Sequence, residues 1–147
     1  MSDHTQYGTF VVDGLLFGVE VRRIQEVIRN QTMTRVPLAP AVVGGLINLR
    51  GEIVTAIDMR CRLGLDPFAL DAEPMNVVVR TGTGGAASLL VDQIGDVLEV
   101  SADSFEAPPA HLDPSARVLI RGAHKLDERL LLVLDIDRAL HGDAAAA

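Results

Sequence analysis

Tryptophan is missing from this 147-residue chain, tyrosine occurs once, and aromatic residues make up 3% of it. With 48% hydrophobic residues, the core must therefore be built from valine, leucine and isoleucine. A single cysteine, Cys61, excludes an internal disulfide. Lysine also occurs once, at Lys125, among 13 basic residues that face 20 acidic ones. The resulting net charge of −7 repels phosphate backbones and anionic lipid, which argues against nucleic-acid binding and direct membrane insertion. The four histidines, His4, His111, His124 and His141, lack metal-ligand spacing, so neither a metal nor another cofactor is expected. No apolar run approaches the ~20 residues of a membrane span, and the polar start Met1 to Gln6 does not read as a signal peptide. These features predict one soluble, acidic, cytoplasmic domain, long enough to bury roughly two-thirds of its unfolded surface.

Catalytic signatures are equally scarce. Gly-x-Ser-x-Gly, His-Glu-x-x-His and Gly-x-x-x-x-Gly-Lys do not occur. Thr81 to Gly85 lacks the lysine of a phosphate loop and reads as a hairpin connection. Asp92, Asp96, Asp135 and Asp137 end apolar runs, where aspartate turns the chain or caps a helix. Cys61 lies between Arg60 and Arg62, whose charges could favour a thiolate, although a half-buried structural cysteine accounts for it as well. One alternative class is a phosphoacceptor receiver domain, with Asp58 as acceptor and Asp13, 45 residues earlier, holding a cation. Against it, the one lysine falls in a polar loop, and Pro37, Pro40, Gly44 and Gly45 break an interval that needs a helix. No catalytic residue is expected.

What the chain does have is short apolar runs divided by turn residues. Thr9–Val12 and Leu15–Val19 flank Asp13-Gly14, a two-residue hairpin signal. Val21 and Ile24 fit a helical turn that gives way to strand by Val27 and Ile28. Further strands are predicted at 46–49, 53–57, 76–80, 88–91, 97–100, 118–121 and 130–134, with a closing helix over 135–140. The tail 142–147 is expected to fray. Such a pattern suggests barrels or a sandwich.

The chain also repeats itself. Ile24 to Ile28 recurs as Ile94 to Leu98, Leu49-Arg50-Gly51 as Ile120-Arg121-Gly122, and Ile53 to Asp58 as Leu130 to Asp135, after a longer loop at 123–128. Ordered recurrence predicts two similar lobes, approximately 14–70 and 75–135, within one domain spanning 1–147. Two small barrels would leave a groove between them and some free strand edges, which a partner could use.

The densest motif is Val36-Pro37 … Gly44-Gly45-Leu46-Ile47-Asn48-Leu49-Arg50-Gly51, where a polar Asn-x-Arg-Gly interrupts apolar sequence at a glycine-bearing bend. A guanidinium with five donors in a planar fork suits recognition of carboxylates better than proton transfer. Arg50 could be a solvated charge, a structural bridge or a partner contact. Together with Phe17-Gly18-Val19, Ile24 to Ile28, Ile57 to Arg60 and Leu90 to Ile94, this stretch resembles the CheW-type chemotaxis coupling proteins, from about Tyr7 to His141. Thr55 and Met59 stand where the family commonly has proline and leucine.

The resemblance implies a mainly β fold: two SH3-like five-stranded barrels sharing an apolar core, with short helices and a C-terminal helix. It implies a non-enzymatic adaptor, recruited from the cytoplasm to membrane-associated arrays. Its partners would be the cytoplasmic hairpin of a methyl-accepting chemoreceptor and the regulatory domain of a CheA-type histidine kinase. The implied receptor contacts are Ile24, Glu26, Gly45, Asn48 and Arg50, with Glu26 the expected ion-pair partner of Arg50. The implied kinase contacts are Val19 and Val21 on the first lobe and Phe105 and His111 on the second.

Overall fold

The computed structural model describes residues 3–29, 31–69 and 71–146, the last five by their backbone. Leu70, an expected lobe boundary, and Ala147, the end of the expected tail, lie outside the described residues. Strands β1 (His4–Val12) and β2 (Leu15–Glu20) meet at Asp13-Gly14, where both residues have positive φ, 52° and 77°. This is the turn that the Asp-Gly pair predicts, because its twist matches that of the flanking strands. A single helical turn, Val21–Arg23, then leads into β3 (Ile24–Ile28). Next come β4 (Val43–Leu49), β5 (Glu52–Asp58) and helix α1 (Met59–Arg62), followed by β6 (Met75–Arg80), β7 (Ala86–Val91) and β8 (Gln93–Ser101). After another helical turn, Ala102–Ser104, come β9 (Phe105–Glu106), α2 (Pro114–Arg117), β10 (Ile120–Lys125), β11 (Leu130–Leu134) and α3 (Ile136–Ala146).

Among the described residues, these strands form two sheets, ordered β3-β6-β7-β5-β4 and β8-β1-β2-β11-β10-β9. Both sheets pair antiparallel, antiparallel, parallel and antiparallel along the first five strands. The second lobe is thus a circular permutation of the first, with β8, β10 and β11 standing for β3, β4 and β5, and β1 and β2 for β6 and β7. Each sheet also closes on itself. The strand after β3 bends so that Thr34 pairs with Leu46 of β4, and the one after β8 bends so that β9 pairs with β10. The second sheet consequently counts six strands rather than the expected five.

Several expectations change. The sheets divide the chain into 24–91 and, for the other, 4–20 with 93–134, so β2 falls in the second lobe and not in a unit starting at residue 14. The strand expected at 118–121 begins later, because Asp113-Pro114 opens α2 and Val118 is its helical cap. The first half of the loop expected at 123–128 belongs to β10, which runs to Lys125. Helix α3 reaches Ala146, into the expected tail. The middle block of the expected repeat is not structurally equivalent: Arg50-Gly51 is a turn, whereas Arg121-Gly122 lies at a bulge in β10. Gly122 instead matches Gly45, at the equivalent bulge of β4. Asp135 matches Asp58 at the same separation of 77 residues, and each accepts a backbone N–H three residues on, as a helix cap does.

The receiver-like alternative is overturned. The sheets are mostly antiparallel, and both oxygens of Asp58 are taken, one by the Cys61 N–H at 3.0 Å and one by the Phe68 N–H at 2.8 Å. Asp58 is 3% exposed and caps α1.

Central strands are buried on both faces, which is why they read as unbroken apolar runs. Phe10, Phe17 and Leu132 of one sheet share a core with Val77, Val79, Leu89 and Val91 of the other. The alternate residues Leu16, Leu131 and Val133 fill the second barrel with Tyr7. Val78 and Leu90 are buried on the opposite face from the shared core.

A polar clamp holds the lobes at the β7–β8 junction. Asp92 accepts two bonds from Arg60, at 2.7 and 2.8 Å, and a third from the Asp13 N–H at 2.8 Å. It therefore ties α1 of the first lobe to the β1–β2 turn of the second. Arg62, the other neighbour of Cys61, donates to the carbonyls of Ala139 and Leu140 and fastens α1 to α3. Asp92→Ala should lower stability by roughly 1–3 kcal/mol, since it strands two guanidinium donors that are partly shielded from water and releases the exposed Asp13 N–H. A shift of the urea midpoint checks this.

His124 is buried in the second barrel with both ring nitrogens occupied. The Ser104 hydroxyl donates to Ser101 O, so Nδ1–H of His124 donates to Ser104 Oγ at 2.7 Å, and Nε2 accepts from Tyr7 Oη at 3.3 Å. This network suits the neutral ring, and burial lowers the imidazole pKa below its ordinary value. The unfolded chain then takes up a proton that the folded protein does not, so stability should fall as pH drops below about 6.5. In His124→Gln the change in urea midpoint between about pH 8 and about pH 5 should be smaller than in the wild type.

Candidate functional site

Strand β3 is the terminal strand of the first sheet and β8 that of the second, and a groove of about 230 Å3 lies between them. Its lining is apolar: Val21, Ile24 and Val27 from one bank, Ile94 and Val97 from the other, and Phe10 between. Three of these are unusually open for valine, with Val21 36%, Val27 42% and Val97 60% exposed. Scattered surface valines are ordinary, whereas these three cluster along one groove, which makes it the candidate interaction site. The sequence showed Ile24 and Val21 but not Val27 or Val97. Each stands beside polar residues, in Gln25-Glu26-Val27 and Asp96-Val97-Leu98-Glu99, and neither stretch hints that the two strands border one groove.

The residues implied as receptor contacts separate into three places. Ile24 lies in the groove. Glu26, Asn48 and Arg50 meet at the β4–β5 turn. Arg50 and Gly51 have φ of 52° and 88°, so this is a two-residue hairpin of the same kind as Asp13-Gly14. Asn48 Oδ1 accepts from the Gly51 N–H at 2.9 Å and holds the turn in shape. Arg50 then reaches across the barrel seam to Glu26 in a two-pronged pair, at 2.6 and 2.9 Å. The hydrogen bonds it donates to Glu26 raise the guanidinium pKa above its ordinary value. The expected Glu26–Arg50 pair is therefore present, with the Arg50 side chain 77% exposed and that of Glu26 17% exposed.

Gly45 is in a third place and is buried. A Cβ there would sit 2.9 Å from Thr34 O and 3.2 Å from Met33 Cβ, so glycine is needed for the close approach of residues 33–34 to β4. That approach seals the first barrel, and the contact of Gly45 is with its own chain.

The residues implied as kinase contacts also divide. Val19 is 2% exposed and packs in the shared core, at the floor of the groove, so it offers a partner almost no surface. The reason is the alternation of β2, which turns Phe17 and Val19 to the same inner face. Val21 lies in the groove beside Ile24. Phe105, 43% exposed, sits on β9 with its ring 5.4 Å from that of His124, and His111 is exposed in the loop before α2. Among the described residues, no group of three His, Cys, Asp or Glu side chains could hold a metal ion, and no helix is long and apolar enough to cross a membrane.

Because Arg50 is largely solvated, its pair contributes little to folding. Arg50→Ala should leave the urea midpoint close to that of the wild type, in contrast to Asp92→Ala. A large loss of stability in Arg50→Ala would assign the residue to the scaffold alone.

The family described as the CheW-like domain matches residues 6–144. The chemotaxis protein CheW of Klebsiella aerogenes is 28% identical over 130 residues, covering 88% of this chain and 78% of that protein. The chemotaxis protein CheW of Rhizobium meliloti is 30% identical over 124 residues, covering 82% and 77%. The crystal structure of the scaffolding protein TtCheW from Thermoanaerobacter tengcongensis superposes with a TM-score of 0.82 at 24% identity, covering 93% and 92% of the two chains, and shares the fold. The chain belongs to the CheW-like family, whose members are non-enzymatic adaptors of chemotaxis signalling.

Proposed function

We propose that this adaptor couples the cytoplasmic hairpin of a chemoreceptor to the regulatory domain of a CheA-type histidine kinase, in the cytoplasm at membrane-associated arrays. The observation that carries the reading is the apolar groove between β3 and β8. A receptor tip is an antiparallel helical hairpin, and one of its helices can lay an apolar stripe into such a groove. Ile24, Val21 and Val27 supply one bank, and Ile94 and Val97 the other. Glu26 precedes Val27 on β3, so its pair with Arg50 lies on the opposite face of that strand. The pair presents partly satisfied charged groups that can read polar residues outside the stripe.

The kinase contact belongs to the second-lobe surface around Phe105 and His111. Phe105 is a half-exposed aromatic on a short strand, the type of side chain that anchors protein interfaces. Two separate faces allow one molecule to hold both partners at once, and an array of such contacts tolerates weak individual affinities.

Calorimetric titration with each partner tests the assignment. Val27→Asp should weaken receptor-hairpin binding at least tenfold and leave kinase-domain binding unchanged, and Phe105→Asp should do the reverse. Equal loss of both partners in a well-folded Val27→Asp protein would reject the separation of faces. Undetectable binding of either partner to the wild type would reject the coupling role.

A further inference from the structure

The loop between β3 and β4 carries a feature that coupling does not use. Val36, Pro37, Leu38 and Ala39 form a tight turn, closed by the Ala39 N–H donating to Val36 O at 3.2 Å. Leu38 occupies the turn position that requires positive φ, at 66°, and its side chain is fully exposed. Glycine or asparagine normally fills such a position, and leucine there is strained. Nor does it gain burial in return. The turn is nevertheless held firmly: Pro37 and Pro40 restrict it, Thr34 and Leu46 exchange two backbone bonds of 2.8 Å at its base, and Val42 is buried with its carbonyl accepting from the Asp58 N–H at 2.7 Å. A rigid turn that holds a bare leucine outward is preorganised for docking.

We infer that Leu38 docks into the β3–β8 groove of a second copy of this chain. The groove is apolar and open, as an aliphatic side chain requires. Charge favours the same occupant. From Val27 to Gly51 the chain has no acidic residue and contains Arg29, Arg35 and Arg50, although the whole carries −7. The β8 bank of the groove carries exposed Asp96 and Glu99, which would face Arg35 beside the inserted leucine. Because knob and groove are different surfaces, the contact is heterologous and can propagate. A single side chain and its rim bury little area, so the association is weak. The inference does not rest on the coupling role, since the isolated protein suffices to test it, but both use one groove, so self-docking and receptor-hairpin binding exclude one another.

Sedimentation velocity from micromolar to millimolar concentration should show concentration-dependent association of the wild type. Leu38→Asp and Val97→Asp should each weaken it at least tenfold while keeping the wild-type circular dichroism. Mixing the two variants should restore a one-to-one dimer, because one retains the groove and the other the knob. Leu38→Gly should weaken association and unfold at higher urea concentration, as relief of a strained turn predicts. A wild type that stays monomeric throughout, association unaffected by Leu38→Asp, or variants that fail to complement one another would each overturn the inference. So would lower stability of Leu38→Gly, which would show that Leu38 serves its own fold.

Discussion

Packing of the two barrels against each other governs the rest of the molecule. Phe10, Phe17 and Leu132 meet Val77, Leu89 and Val91 in one shared core, and no tryptophan is available to fill it. At about 25 cal/mol per Å2 of apolar surface buried, this core is the main favourable term holding the lobes together. The Asp92–Arg60 clamp adds direction, fixing α1 against the β1–β2 turn at the rim of the core. Once the lobes are fixed, β3 and β8 border one groove, which is a consequence of their spacing.

The two lobes reach the same strand order from different segments, because β1 and β2 complete a barrel whose other strands follow residue 92. Each lobe keeps a glycine at a bulge, Gly45 or Gly122, where a bent strand closes the barrel, and an aspartate, Asp58 or Asp135, that stops a strand and starts a helix. Their surfaces differ. The first lobe has the short Arg50-Gly51 turn with its ion pair to Glu26, whereas the second has the longer 126–129 connection and a buried His124–Tyr7–Ser104 network. That difference gives one fold two distinguishable faces.

Much of this was legible in the sequence, for local reasons. Asp13-Gly14 announces its hairpin through backbone conformation, the valine-rich runs announce strands, and the Glu26–Arg50 pair followed from the resemblance together with the chemistry of a guanidinium. What stayed hidden depends on pairing at long range. Nothing near Val19 shows that it faces inward while Val21 faces the groove. Nothing near Gly45 reveals that Thr34 passes 2.9 Å from where its Cβ would be. Arg60 and Asp92 lie 32 residues apart and meet through the parallel pairing of β5 with β7. The repeat is visible in the sequence, but residue identity pairs Arg50-Gly51 with Arg121-Gly122, which are not structural equivalents. The bulges of β4 and β10 are the true equivalents.

The most direct measurement of the central claim is a methyl-resolved NMR titration of this protein with the receptor's cytoplasmic hairpin. The account predicts that the methyl signals of Ile24, Val27, Ile94 and Val97 shift together and saturate, while those of Leu131 and Val133 inside the second barrel stay in place. Saturating shifts confined to another surface, with the four groove residues unmoved, would contradict it.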